Sequence, residues 1–181
     1  MRINLEKGQK LSSKGAIMSG LTTISMRAGW DPVPGKTMDF DIAAVTNTGV
    51  TVYYNNLNSN GIVHKGDNLT GAGDGDDEII EIDLTQLDSS INKITLVANV
   101  YQGEAKGQSL SNLQSGFVRI VNEVEGREIV NMPIISSAFS PEDMNKTSMI
   151  CSVLFKEDGK WDVKSVFEGV AGNLQQVVEN L

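Results

Sequence analysis

Short segments of alternating apolar and polar residues, each closed by a turn signal, recur along this chain and restrict it to a β fold. A repeat of two is the period of a strand, whose successive side chains point to opposite faces. Such segments are expected at residues 2–5, 21–29, 38–46, 50–54, 78–84, 93–101, 117–123, 127–133, 147–155 and 161–167. Turn signals separate several of them, at Asn47-Thr48-Gly49, Glu125-Gly126 and Glu157-Asp158-Gly159. Residues 93–101 are apolar enough for a strand covered on both faces. Helix is sparse. A helical turn is expected at 84–88 and another within 104–114. Ser140 and Pro141 form a helix start, as cap and first residue, and residues 172–181 close with a short helix burying Leu174, Val177 and Val178. The pattern predicts an all-β protein: a two-sheet antiparallel β-sandwich with short helical turns and a short C-terminal helix, as one domain over residues 1–181.

Composition removes several function classes. With a net charge of −8 and a pI near 4.6, a general nucleic-acid or anionic-membrane surface is not expected. Cys151 is the one cysteine, so no internal disulfide can form. Alternating with Met149 and Val153, it is expected to be a buried small hydrophobe, which makes it a poor reductant. The opening MRINLEKGQKL lacks an apolar run, and no segment approaches the roughly 18 apolar residues of a membrane span. The expectation is a soluble, cytoplasmic protein without direct membrane insertion.

One stretch breaks the β pattern. Residues 66–78 read Gly-Asp-Asn-Leu-Thr-Gly-Ala-Gly-Asp-Gly-Asp-Asp-Glu, with no apolar periodicity and no Lys or Arg. Its carboxylates repel one another unless solvated or bridged by a cation. Hard oxygen donors on a backbone free to turn suit Ca²⁺, which takes 6–8 oxygens in flexible geometry, better than Mg²⁺ with its stricter octahedron. Zn²⁺ is disfavoured because the run holds no Cys or His. The expected ligands are Asp67, Asn68, Asp76, Asp77 and Glu78, with the carbonyls of Gly71 and Gly73. An EF-hand does not fit, since starting from Asp67 the third, fifth and sixth positions are Leu69, Gly71 and Ala72. A phosphate loop does not fit either, because acids stand where a phosphate needs neutral or basic groups. A solvated acidic loop is the competing reading. Asp39 and Asp41 share one face of the strand at 38–46 and either complete a cation site or stand as an exposed pair.

The run GDNLTGAGDGDDE resembles the signature of the TerD family of bacterial tellurium-resistance and stress-response proteins. The resemblance extends over nearly the whole chain, through Leu5-Glu6-Lys7-Gly8-Gln9-Lys10, Gly29-Trp30-Asp31, Met38-Asp39-Phe40-Asp41-Ile42 and Tyr54-Asn55-Asn56-Leu57. It continues through Glu104-Ala105-Lys106-Gly107-Gln108, Phe117-Val118-Arg119-Ile120-Val121-Asn122 and Gly159-Lys160-Trp161. It implies a β-sandwich, places the Glu104 segment beside the acidic loop as a further ligand, and implies association with other tellurium-resistance and stress proteins, including a membrane-bound partner. The chain departs from the family at Ala43, where another acid is usual.

Three function classes follow. The first is a non-enzymatic Ca²⁺-binding sandwich acting as a sensor or scaffold in a stress response. The second is a divalent-metal-dependent hydrolase or phosphoesterase, in which clustered acids and an ion activate water; the run lacks a His, Lys or Arg to act as base or clamp phosphate. The third is a structural subunit whose acidic loop only protects a strand end. His64, the one histidine, stands beside Lys65 in a stretch read as polar loop, and no role is expected of it. Trp30 and Trp161 are expected in the core or at a sheet end.

Overall fold

The computed structural model describes residues 6–10, 21–32, 34–135 and 137–181. The strand expected at 2–5 lies outside them. The strands are β1 (Thr23–Pro32), β2 (Phe40–Thr46), β3 (Thr51–Val52), β4 (Asn58–Ser59), β5 (Ile62–His64), β6 (Glu78–Asp83), β7 (Lys93–Val100), β8 (Leu113–Asn122), β9 (Arg127–Pro133), β10 (Ser148–Glu157) and β11 (Lys160–Val170). Among the described residues there are three short α-helices, α1 (Gly103–Lys106), α2 (Pro141–Met144) and α3 (Leu174–Glu179), and a 3-10 turn at Leu110–Asn112.

The strands form two sheets, a six-stranded one ordered β4-β5-β6-β1-β8-β9 and a five-stranded one ordered β11-β10-β7-β2-β3. Every pairing between them is antiparallel. The core lies between the sheets. Ile24, Met26, Ala28, Ile80, Ile82, Val118 and Ile120 face Phe40, Ile42, Ala44, Ile94, Leu96 and Ala98, which is the alternation of a sandwich.

β7 is buried on both faces, as the apolar run at 93–101 predicts, and β2 beside it is buried on both faces too. Their second faces, at Ala43, Val45 and Val97, are covered by Leu174 and Val177 of α3. The helix starts where Asn173 accepts a hydrogen bond from the Gln176 N–H and Gln176 returns one to the Asn173 N–H. Ser140 caps α2 in the expected way, accepting from the Asp143 N–H at 3.1 Å with Pro141 in the first turn.

Several elements depart from the sequence reading. The expected helical turn at 84–88 is a plain turn, because the Asp83 carboxylate takes the Thr85 N–H and the Gln86 side chain instead. The stretch after Asn56, read as one long loop, contains β4 and β5, which extend the six-stranded sheet. In β10 the register shifts between Ile150 and Ser152, so Cys151 and Leu154 point inward while Val153 is only half-buried.

Candidate metal centre

The site lies at the end of the sandwich where β2 begins. β3 pairs only with Ala44 and Val45, so the Ile42 N–H has no strand partner. Glu78, the first residue of β6, takes that N–H on Oε2 at 2.9 Å. Asp41 is the second residue of β2, and Asp39 precedes the strand, held by its carbonyl accepting from the Tyr101 N–H at 2.9 Å.

The glycine-rich loop delivers the third acid. Asn68 organises it: its Oδ1 accepts from the Thr70 and Gly71 N–H groups, both at 3.1 Å, and its amide donates to Asp77 Oδ1 at 2.9 Å. Gly71, at φ 64°, lies against Trp30, where a Cβ would come within 2.4 Å of the Trp30 carbonyl. A side chain there is excluded by both sterics and backbone conformation. Asp77 ties the loop to β1 by accepting the Trp30 N–H at 2.9 Å. Trp30 itself is core, its Nε1 donating to the Met38 carbonyl at 3.0 Å.

Asp39, Asp41 and Asp67 are thereby brought together, each with a carboxylate oxygen within 4.8 Å of the others. They line a cleft of about 370 Å³ walled by Tyr54, Tyr101 and Leu69. Asp41 is 1% exposed. Its Oδ2 and the Oδ1 of Asp39 are buried, with no hydrogen-bond partner among the described residues. Burial, with Asp39, Glu78 and Asp67 nearby, pushes the Asp41 carboxyl up to about 8. Burial, with Asp67 and Glu78, pushes Asp39 up to about 6. Burial also raises the Glu78 carboxyl, against the lowering influence of His64 and two backbone N–H groups. Orphaned buried carboxylate oxygens crowded together are the donor set of a hard divalent cation, so the residues fit Ca²⁺.

The other sequence candidates lie elsewhere. Asp76 turns to the outer face of the six-stranded sheet, where Arg119 reaches it at 2.5 and 2.8 Å and Arg27 at 3.0 Å. Its charge is balanced by arginines 43 and 49 residues away in sequence, not by the cluster. Gly71 packs on Trp30 and Gly73 is exposed. Glu104 is exposed on α1 and borders the neighbouring groove, away from the three aspartates. Asn68 and Asp77 brace the loop, and Glu78 stands between the cluster and His64. Ala43, where the family resemblance leads one to expect an acid, packs under α3.

His64 corrects the sequence reading. It lies in β5, 3% exposed, with Nε2 3.4 Å from Glu78 Oε2. Its Nδ1 accepts the Gly66 N–H at 3.3 Å. The signal was the alternation Ile62-Val63-His64, buried, exposed, buried. Lys106 is a second residue the sequence left unread: it lines the cleft with its ammonium 5.0 Å from the Tyr101 ring centroid.

The fold and site define a class: a two-sheet sandwich whose glycine-rich acidic loop carries an aspartate to a carboxylate pair at a sheet edge. The TerD domain model matches residues 1–181, and the chain belongs to the TerD family. It is 31% identical to the tellurium resistance protein TerD of Serratia marcescens, over 98% of this chain and 95% of that protein. It is 32% identical to general stress protein 16U of Bacillus subtilis (strain 168), with the same two coverages of 98% and 95%. The crystal structure of a telluride resistance protein (TerD) homologue from Streptomyces coelicolor A3(2) shares the fold, with a TM-score of 0.74 at 19% identity over 88% of this chain and 96% of that one.

Proposed function

We propose that this protein is a non-enzymatic Ca²⁺-binding member of its family, acting in the cytoplasm as a Ca²⁺-dependent sensor or scaffold in a tellurite or general stress response. The observation that carries this reading is the Asp39–Asp41–Asp67 cluster with its two partnerless buried carboxylate oxygens. Asp39, Asp41 and Asp67 would hold the ion, with Glu78 the next acid; a bound ion neutralises their charge and fixes the 66–77 loop against β1. Among the described residues the cleft wall holds no histidine, cysteine or serine, and His64 stands behind Glu78, which favours binding over hydrolysis. Partners are proposed among other tellurium-resistance and stress proteins, including a membrane-bound one. No helix among the described residues is long and apolar enough to cross a membrane.

Thermal unfolding of chelator-treated protein with added Ca²⁺ or Mg²⁺ tests the reading. A ligand at about 100 times its dissociation constant, bound only by the folded state, adds roughly 2.7 kcal/mol. The expected result is a Ca²⁺-selective rise in Tm. A flat response to both ions contradicts a cation site and leaves a structural role.

A further inference from the structure

We propose that Lys106 is a tethered counter-cation that competes with the metal and so sets the affinity of the site. The inference rests on the cation-site reading and goes beyond it by assigning a residue that opposes binding. Among the described residues lining the cleft, Lys106 is the only basic one, facing Asp39, Asp41 and Asp67. It is exposed, sits in the last turn of α1, and has its ammonium over the Tyr101 ring. That ring also meets Tyr54 edge-on at 5.5 Å, so the ammonium rests on a built aromatic wall of the same cleft.

Among the described residues no carboxylate lies within 4.0 Å of the Lys106 ammonium, so it is not locked to one acid. A monovalent charge lining the same cleft partly neutralises the crowded acids when no metal is present. When a divalent ion arrives, the same charge repels it and must swing outward along the tyrosine wall. Lys106 therefore weakens divalent binding and ties the position of α1 to the occupancy of the site.

Calorimetric titration with Ca²⁺ of wild type, Lys106→Gln and Lys106→Arg tests this. Removing a unit charge next to a divalent ion in a partly solvated cleft is expected to tighten binding roughly three- to tenfold. Lys106→Arg, which keeps the charge, is expected to stay near wild type, a distinction that a purely structural role does not produce. Binding by wild type with Lys106→Gln unchanged or weaker overturns the inference and leaves the cation site standing. No binding by wild type or either variant overturns the cation site and the inference with it. Binding by Lys106→Gln alone supports both, with Lys106 as the dominant block.

Discussion

At the residue scale, Asp41 carries the account. An acid raised in the folded state makes that state hold more protons than the unfolded chain between its two pKa values. For Asp41 this window runs from the ordinary 3.8 to about 8, and for Asp39 to about 6. Without a cation, stability therefore falls as pH rises through the window. With Ca²⁺ present the carboxylates are held ionised, so binding releases protons and tightens as pH rises. Melting curves from pH 4.5 to 8.5 in chelator and in Ca²⁺ are expected to diverge steadily; parallel curves would contradict the assignment. Asp76 is instead bound by two arginines. Its bonds to Arg27 and Arg119 are structural, and Asp76→Asn is expected to cost about 2–3 kcal/mol in chemical denaturation, the scale of charged hydrogen bonds lost at a mostly buried site.

At the element scale, what the sequence made legible is what has a short period. The period-two strands were readable because alternation is local, α2 because a Ser-Pro start is local, and α3 because its apolar spacing is local too. β4 and β5 were not, since two or three residues carry too little pattern to separate from loop. The inward turn of Leu154 follows from a bulge, which no periodicity announces. At the site, Asp39, Asp41 and Asp67 could be named from the sequence because acids on one strand face and in a glycine-rich loop stand out. That Asp76 leaves this group could not, because its arginines lie on β1 and β8 far away in sequence. The loop's seat on β1 also yields a prediction: Gly71→Ala, with a Cβ 2.4 Å from a backbone carbonyl, is expected to destabilise by roughly 1–3 kcal/mol. It should weaken Ca²⁺ binding through Asp67 although it removes no ligand, measurable by titration of the folded variant.

At the scale of the whole molecule, the sandwich provides two differently used ends and faces. On the outer face of the five-stranded sheet α3 covers β2 and β7, and the outer face of the six-stranded sheet carries the arginine–carboxylate network around Asp76. The acidic cleft lies at the sheet end between them, where a short β3 leaves the β2 edge uncovered. A cation there links β2 to the loop before β6, one strand from each sheet, so its binding bears on the stability of the whole sandwich. The most direct test is the stoichiometry of Ca²⁺ binding by calorimetry for wild type, Asp41→Asn and Asp76→Asn. The account predicts that Asp41→Asn loses the ion at the Asp39–Asp41–Asp67 cluster while Asp76→Asn, still folded, keeps it. Binding that survives Asp41→Asn and disappears with Asp76→Asn would place the ion in the glycine-rich run itself and contradict the account.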